Sequence, residues 1–580
     1  MNIKIPAKDI RKDYSSEIFK MRGVKDLDSF LNPTEANLQS WKDLDNIEKG
    51  IELVKNLNKD ATVGLIVDCD VDGYTSASII YQYLKQILPD ISIEYYLHEG
   101  KAHGLEDSYE HIIDKSYDLL IIPDASSNDS EYAKQLNMPI LVLDHHLLDT
   151  EISADNMVVV NNQISEKYKN KYLSGAGIVY QFCRGLDEAF GVNYAEDYID
   201  LAALGICADM MSGLETENQY FWKKGFSNVK NFFFWTIAKK QSYSITGMMG
   251  ATDQCLMESL NPTSVAFYIV PMINAMIRVG TQPEKERLFI AFVDGERMIP
   301  CNKRGAKGTL EKAAIESARE CTNARTHQNK YKEDAVSKLE QKIFKNDLLE
   351  NKILFVRLDE DDVFPSELNG LVAMMLSQKY KRPTIVARLN DEGYIRGSAR
   401  GLNKSELSSF KDFLLDTKLF EYAQGHDNAF GISIKNKDLA KFHEIANEQL
   451  KDYNFDEGCY EVDFVRSCWE EDLVDIITDL SNYKNIWSQG CEEPLIFVQD
   501  INLNANEINI CGKNNDTVRF QKDGVTYIKF FAKDMISELD GHDTIQIKVV
   551  GKANMNEWNN IFTPQIQIEA YEIEDGELAF

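Results

Sequence analysis

The stretch "ATVGLIVDCDVDGYTSASII", residues 61–80, determines the fold of the first part of the chain. An apolar run is followed directly by Asp68, Asp70 and Asp72, and then by a helical pattern. Apolar runs and helical patterns keep alternating up to about residue 210. Continuous Val/Ile/Leu runs that alternate with helices are typical of a parallel sheet covered by helices on both faces. The sequence therefore predicts an α/β domain.

Acidic and imidazole side chains follow the predicted strands. "DLLIIPD" ends at Asp124, "PILVLDHH" ends at Asp144, His145 and His146, and Asp209 follows the helical "LAALGICAD". A single Asp after a strand is more often a turn former or a helix cap than a ligand. In parallel sheets, however, ligands bind beyond the carboxyl ends of the strands. Several acids and two histidines converging on that edge therefore indicate a binding site.

Such a cluster of carboxylates predicts a metal site. Four or five carboxylates cannot all stay ionised in a cleft without compensating positive charge. Oxygen ligands with one or two imidazoles suit a divalent ion such as Mn²⁺ or Mg²⁺. Two ions about 3.5 to 4 Å apart that share a carboxylate and activate a water are the usual arrangement for in-line cleavage of phosphoesters. We therefore expect one or two ions.

The rest of the chain predicts further domains, as expected for 580 residues. A charged helical pattern at 308–352 favours a long connecting helix. A strand–helix–strand pattern from residue 353 predicts a second, smaller α/β domain. Short strands beyond about residue 455 suggest a small barrel.

Composition limits the possible partners and location. The net charge of −30 opposes nucleic-acid binding unless local Lys and Arg contact the phosphates. Ten cysteines without a CxxC pair argue against a zinc knuckle and a disulfide framework. The start "MNIKIPAKDIRKDY" lacks the apolar core of a signal peptide, and no apolar run reaches the roughly 18 residues of a spanning helix. We therefore expect a cytoplasmic protein without a membrane partner.

Motifs along the chain resemble those of a known family. "DCDVDG", "PDASS", "LDHH" and "ALGICADMM", in this order, resemble the DHH phosphoesterases. "HEGKAHGL", "LSGAGIVYQF" and "PMINAMIRVG" narrow the resemblance to the RecJ exonucleases. "RGSARG" and "QGHDNAFGISI" are similar to the DHH-associated domain, and "SQGCEEPLIF" and "MNEWNN" to the RecJ nucleic-acid-binding barrel. The resemblance covers nearly the full length.

The resemblance implies a four-part organisation. It places a DHH domain with an N-terminal segment at 1–290, a helical linker at 291–352 and the DHH-associated domain at 353–452. A C-terminal OB-like β-barrel that binds nucleic acid would occupy 453–580.

The resemblance also assigns metal ligands. Asp68 and Asp124 would bind one ion, while Asp70, Asp124, His145 and Asp209 would bind the other. Asp124 would then bridge the two ions.

Other residues would support the site or bind substrate. Asp144 would orient His145 from behind, as metal-bound imidazoles usually require. Asp72 would brace the turn into the following helix. His146 would be one of the catalytic residues and would contact the substrate. The implied substrate-binding residues are His103, Arg278, Ser398, Arg400 and His426.

One position departs from the family pattern. Ile66 stands where many DHH proteins have a metal-binding histidine, two residues before Asp68. The first ion is therefore expected to be held weakly or to arrive with substrate.

The activity that the resemblance implies is stepwise 5′ to 3′ hydrolysis of single-stranded DNA to 5′-mononucleotides, in repair, recombination or replication. We expect a monomer, with a single-strand-binding protein or a helicase as candidate protein partners. One alternative is a small DHH phosphodiesterase acting on short RNAs or cyclic dinucleotides, which normally lacks the linker and barrel. The other is a non-catalytic scaffold with the DHH fold, which the net charge favours.

Overall fold

The computed structural model describes residues 1–98, 102–359, 361–362, 364–558 and 561–575. Parts of three predicted features lie outside the described residues: 99–101 of "HEGKAHGL", 559–560 of "MNEWNN", and 576–580 of the last predicted domain.

The chain divides into two compact units. The DHH unit, as we call it, comprises Val24–Asn329 and Asn485–Glu492. The second unit comprises Met1–Gly23, Lys330–Lys484 and Glu493–Phe580. The N-terminal segment, which the sequence groups with the first domain, thus belongs to the second unit.

The DHH unit is built on a five-stranded parallel sheet, which confirms the predicted α/β fold. Its strands, in spatial order, are Ser92–Leu97, Thr62–Val67, Leu119–Pro123, Ile140–Asp144 and Met157–Asn161. Because side chains alternate between the faces of a strand, Leu65 and Val67 pack in one apolar cluster and Ile66 in another. The central strands are buried on both faces, so their carboxyl ends are the parts that can present polar side chains.

Helices cover both faces of this sheet, and a small hairpin follows them. The helices are Leu27–Leu31, Ile47–Lys55, Val71–Ile87, Gly104–Ile112, Ser130–Ala133, Gly175–Phe190, Ile199–Ala208, Thr216–Ser227, Phe232–Lys240, Ser242–Thr246, Asp253–Ser259, Pro262–Ser264, Val270–Val279 and Gln282–Val293. The hairpin pairs Met298–Pro300 with Leu310–Lys312. The helix Ala313–Lys345, 33 residues long, then runs from the DHH unit into the second unit.

One helical stretch, Pro262–Val279, is long and apolar enough to cross a membrane, with a mean hydropathy of 1.2. Half of it is buried inside the protein. Val265, Ile269 and Ile273 pack in the main apolar cluster of the DHH unit. Packing in the core of the DHH unit explains why this stretch is so apolar.

The second unit contains a smaller α/β sheet of five strands. In spatial order they are Phe420–His426, Ala429–Lys435, Tyr394–Arg400, Thr384–Leu389 and Leu354–Leu358. Only the last two run parallel to each other. The accompanying helices are Asn369–Tyr380, Phe410–Asp416 and Leu439–Gln449.

The same unit contains a seven-stranded mixed sheet near the end of the chain. In spatial order its strands are Phe464–Ser467, Leu495–Asn504, Thr544–Trp558, Ile561–Asp575, Val525–Lys529, Thr517–Lys522 and Asn509–Cys511. In the described part of the chain, the two outermost strands do not pair with each other. The sheet is therefore a mixed sheet and not a closed barrel. Local strand patterns do not determine whether the edges of a sheet meet.

The N-terminal segment and two helices complete the second unit. The strand Asn2–Lys4 pairs in parallel with Cys459–Glu461, and the helix Tyr14–Met21 follows it. The other helices are Asp472–Ser481 and Lys533–Leu539. Short 3₁₀ turns in the two units lie at Glu35–Asn37, Trp41–Asp43, Ala195–Tyr198, Leu348–Glu350, Ser366–Leu368, Asn436–Asp438 and Ala505–Glu507.

Arg466 ties the N-terminal segment to the seven-stranded sheet. Its side chain is fully buried, and its Nε donates to both oxygens of Asp472 at 2.9 and 3.0 Å. Its Nη1 donates to Asp9 at 2.9 Å, and its Nη2 donates to the carbonyl of Ile10. Buried ion pairs are costly to break because the remaining partner stays desolvated.

Replacing this arginine should destabilise the second unit. We expect Arg466→Met to lower the free energy of unfolding by about 3 to 5 kcal/mol, since Asp472 and the carbonyl of Ile10 lose their donor. Arg11→Ala is the matched control, because Arg11 contacts the same acids from a side chain that is 54% exposed. Its loss should cost under about 1 kcal/mol. Equal effects in urea denaturation would contradict this interpretation.

Candidate metal centre

The carboxyl edge of the parallel sheet brings the predicted acids together. Oxygen atoms of Asp68, Asp70 and Asp124 lie within 4.8 Å of one another. Asp68 directly follows one central strand, and Asp124 directly follows its neighbour. Asp70 caps the helix Val71–Ile87, where its Oδ1 accepts the backbone N–H of Gly73 at 3.0 Å. The strand-to-helix turn therefore presents two acids to one point.

A second group lies beside the first. Ligand atoms of Asp72, His145 and Asp209 also lie within 4.8 Å of one another. His145 Nε2 is 3.2 Å from Asp124 Oδ1 and 3.4 Å from Asp209 Oδ2. Since His145 contacts Asp124, the two groups form one continuous centre.

Asp124 is the most constrained of these acids. Its side chain is 3% exposed, and its backbone is in the left-handed region with φ 65. Asp tolerates this conformation better than most residues, and such strain is concentrated at functional sites. Among the described residues its Oδ1 accepts no hydrogen bond, although it lies 3.2 Å from Nε2 of His145, whose pKa is lowered by burial. A buried carboxylate oxygen without a donor needs another source of positive charge.

Gly175 makes room for this carboxylate. A Cβ at Gly175 would lie 2.4 Å from Asp124 Oδ1, closer than real contacts allow. Gly175 begins the helix Gly175–Phe190, so the absence of a side chain lets the helix start directly against Asp124.

Asp72 is held by hydrogen bonds to the start of a neighbouring helix. Its buried carboxylate accepts the Ser174 hydroxyl at 2.9 Å and the backbone N–H groups of Gly175 and Ala176 at 2.7 and 3.1 Å. It thus caps the helix Gly175–Phe190, which starts against Asp124, whereas the sequence analysis expected it to brace the turn into its own helix. The sequence analysis quoted Ser174 and Gly175 within "LSGAGIVYQF" but gave them no role, because their partner Asp72 is about a hundred residues away.

Asp144 holds the histidine pair differently from the sequence-based expectation. Its Oδ1 accepts the backbone N–H of His145 at 2.7 Å, but the ring that it contacts is that of His146, at 2.8 Å from Nδ1. The carbonyls of His145 and His146 accept bonds from Gln163 and Asn161. The His145 ring is therefore free to point its Nε2 at the acids.

The electrostatics of the centre favour a cation. Burial, followed by the charges of neighbouring acids, raises the pKa of Asp70 to about 6 and that of Asp124 and Asp209 well above the usual range. Burial lowers the pKa of His145. Although burial opposes it, the bond to Asp144 raises the pKa of His146 to about 9. Without a cation, the acids can be accommodated only by taking up protons.

These residues fit a divalent metal ion. Carboxylate oxygens and an imidazole nitrogen are the donors that Mn²⁺ and Mg²⁺ accept. The buried Asp124 Oδ1, which accepts no hydrogen bond, and the raised pKa of the Asp124 carboxyl group show the same need for positive charge. In the described part of the chain, the ion pairs of these acids are formed with imidazoles.

The remaining predicted residues are divided between the units. His103 joins the centre, with its Nδ1 3.1 Å from Asp68 Oδ1. Arg278 is also in the DHH unit, in the last turn of the helix Val270–Val279. Ser398, Arg400 and His426 lie in the smaller sheet of the second unit.

The smaller sheet aligns its three residues. Arg400 and His426 both pair with Ala429, from the strands on either side of it. Directly paired residues share a face, and Ser398, two positions from Arg400 on its strand, shares that face as well. The structure thus places these three side chains on one face near one end of the sheet.

The sequence analysis did not identify Arg325, on the long helix. Burial lowers the pKa of the Arg325 guanidinium, and so does the nearby charge of Arg278. Within the described residues neither arginine forms an ion pair, and Arg325 donates to Gln328 at 2.7 Å. An electrostatic effect between residues that are distant in the sequence has no local sequence signal.

Comparison with known proteins agrees with this geometry. The model of the DHH family, N-terminal domain, matches residues 62–206. The putative single-strand DNA-specific exonuclease YorK of the SPbeta prophage of Bacillus subtilis is 35% identical over 577 residues, covering 98% of this chain and 96% of that protein. The single-stranded-DNA-specific exonuclease RecJ of Bacillus subtilis is 23% identical, covering 95% and 66%.

A solved structure shares the fold. The crystal structure of RecJ with Mn²⁺ from Thermus thermophilus has a TM-score of 0.71 and 18% identity, covering 98% of this chain and 79% of that chain. The parallel sheet and its edge of acids and imidazoles define a DHH-type metal protein. Within that class, the chain belongs to the RecJ-like family that includes YorK.

Placing a methyl group at Gly175 should disturb the centre without unfolding the protein. We expect Gly175→Ala to push Asp124 aside and to weaken Mn²⁺ binding at least about tenfold, the size of effect found when supporting contacts of metal sites are lost. Isothermal titration calorimetry measures this. Glu188→Ala, in the exposed last part of the same helix, should bind Mn²⁺ like the wild type. Unchanged affinity in Gly175→Ala would show that Asp124 is not a ligand.

Proposed function

We propose that the protein is a metal-dependent exonuclease that degrades single-stranded DNA from the 5′ end and releases 5′-mononucleotides. The observation that carries the proposal is the centre of acids and imidazoles around the buried Asp124 carboxylate. The names of the RecJ and YorK relatives supply the substrate class. The 5′ to 3′ direction and a role in repair, recombination or replication are part of the proposal.

We assign the ligands as the family pattern implies. Asp68 and Asp124 hold one ion, and Asp70, Asp124, His145 and Asp209 hold the other. Divalent ions bound there supply Lewis-acid stabilisation of phosphoryl oxygens and activation of water. The position of Asp124 supports its bridging role, because it belongs to the group of Asp68 and Asp70 and also lies 3.2 Å from His145 of the other group.

His146 gives the centre a proton donor. Its pKa of about 9 keeps the ring protonated at neutral pH. Because Asp144 holds Nδ1, the half-exposed ring presents Nε2–H to the surroundings. We assign this N–H to a phosphate oxygen of the substrate, where a charged donor binds more strongly than a neutral one.

Arg278 and Arg325 are the proposed phosphate contacts of the DHH unit. Two guanidinium groups close enough to affect each other, and without an acid partner among the described residues, suit an anionic ligand. The chain carries 93 acidic against 63 basic residues, so such local cations are needed if DNA is to bind.

Ser398, Arg400 and His426 are the proposed phosphate contacts of the second unit. Their common face in the smaller sheet supports a joint role. The four-part division of the chain remains part of this proposal, with 353–452 as the DHH-associated domain.

The seven-stranded sheet is the proposed nucleic-acid-binding, OB-like part. Phe530 and Phe531 are exposed aromatic side chains at the end of one strand, and Phe531 is 86% exposed in a left-handed backbone conformation. Exposed aromatic rings stack on bases, at about 1 to 3 kcal/mol for each base. Tyr527, by contrast, is buried against Phe520 and packs in the core.

The remaining parts of the proposal concern the cell. We place the protein in the cytoplasm as a monomer that acts on single-stranded DNA. A single-strand-binding protein or a helicase would present that strand.

A nuclease assay tests the activity. With Mn²⁺, the wild type should shorten a single strand from its 5′ end, and Asp124→Ala should lose this activity by at least about 10³-fold because it removes a ligand of both ions. Asp155→Asn, which changes an exposed acid of the same unit, should keep full activity. Labels at the 5′ and 3′ ends distinguish the directions.

The substrates in the same assay separate the alternatives. Single strands, duplexes, short RNAs and cyclic dinucleotides are compared at equal concentration. Preference for di- or trinucleotides or for cyclic dinucleotides would favour a small phosphodiesterase. Absence of metal-dependent cleavage of every substrate would favour a scaffold and reject the proposal.

The arginine pair predicts a salt-dependent change in DNA affinity. Arg325→Ala should weaken single-strand binding and lower the slope of affinity against salt concentration by about one charge, as expected for a phosphate contact. Fluorescence anisotropy at several salt concentrations measures both. Arg304→Ala, in an exposed loop of the same unit, is the control. An unchanged slope in Arg325→Ala would remove Arg325 from the binding surface.

A further inference from the structure

His103 stands apart from the other predicted substrate-binding residues because it contacts a metal-site acid. Its Nδ1 lies 3.1 Å from Asp68 Oδ1. Among the described residues, His103 is the histidine whose ring contacts the Asp68 carboxylate. Asp68 in turn belongs to the group with Asp70 and Asp124.

Ile66 cannot supply the imidazole that the family pattern has at its position. Its side chain is fully buried, in an apolar cluster that includes Leu105, Ile122 and Val142. Since residues two apart on a strand share a face, Ile66 and Asp68 lie on the same side of the sheet. Leu105 packs into this cluster, so the segment that packs beside Ile66 also carries His103.

The backbone around His103 is fixed to the turn that carries Asp124. The N–H of His103 donates to Asp107 Oδ2 at 2.8 Å. The N–H of Leu105 donates to Ser126 Oγ at 2.8 Å, and Ser126 lies two residues after Asp124. The backbone that carries the imidazole is therefore held by the same elements that position the acids, which favours a role as a metal ligand.

We propose that His103 is a ligand of the first ion beside Asp68, and replaces the histidine that Ile66 does not provide. Two adjacent ligands of an octahedral ion, each about 2.1 Å from it, are about 3.0 Å apart. The 3.1 Å between His103 Nδ1 and Asp68 Oδ1 matches this separation. The inference rests on the two-ion site of the proposed function and gives His103 a different role from substrate binding.

Mn²⁺ binding to the full chain tests the inference without an activity assay. Calorimetry gives the number and affinity of bound ions, and pulsed electron paramagnetic resonance detects nitrogen coupled to Mn²⁺. His103→Ala should bind the second ion normally and the first about 10- to 100-fold more weakly, with one nitrogen coupling lost. The variant should fold, because the His103 side chain is 52% exposed.

His111→Ala is the matched control. His111 lies on the helix that begins after His103, and its exposed ring stacks on Tyr96 with 4.8 Å between centroids. This variant should retain both ions and all nitrogen couplings.

The outcomes separate this inference from the proposed function. If His103→Ala binds two ions with wild-type affinity and unchanged nitrogen couplings, the inference is overturned and the metal site stands. If His103→Ala then loses only its affinity for single-stranded DNA, His103 is a substrate-binding residue. If the wild type binds no Mn²⁺, the metal site of the proposed function fails as well.

Discussion

Repulsion between buried carboxylates is the constraint on which the DHH unit depends. Asp68, Asp70 and Asp124 place oxygen atoms within 4.8 Å of one another at the carboxyl edge of the parallel sheet. Burial and the neighbouring charges together raise the pKa of Asp70 and Asp124. Like charges at this separation are stable only with protons or cations between them. The fold therefore brings together carboxylates that a bound cation would stabilise.

The N-termini of two helices partly offset this repulsion. The helices Val71–Ile87 and Gly175–Phe190 both begin at the edge, capped by Asp70 and Asp72. The first turn of a helix carries a partial positive charge and unpaired N–H groups, so it stabilises nearby acids. Gly175 allows the second helix to start against Asp124 without a steric clash. The acids thus serve both as helix caps and as candidate ligands.

The parallel sheet and the convergence of its acids could be predicted from local patterns. Each buried strand is a continuous apolar run, and parallel strands must end at the same edge, so Asp68 and Asp124 had to meet. The contact of Asp144 with the His146 ring could not be predicted, because it depends on the geometry of a turn. Nor could the place of Met1–Gly23 in the second unit, since the strand Asn2–Lys4 pairs with Cys459–Glu461, far along the chain. Whether the last strands close into a barrel could not be predicted either, because strand pairing at sheet edges is also nonlocal.

Arginines that form no ion pair with a described residue are unexpected in so acidic a chain, and they therefore indicate where an anion could bind. In a chain with a net charge of −30, a guanidinium can readily find a carboxylate. Arg287 pairs with Glu320, and Arg319 pairs with Glu311 and Glu316. Arg278 instead lowers the pKa of Arg325 through its charge, and neither arginine forms an ion pair with any described residue. Keeping two like charges together costs free energy that a bound anion can offset. Local placement of a few cations, rather than the net charge, therefore determines whether this surface can hold a polyanion.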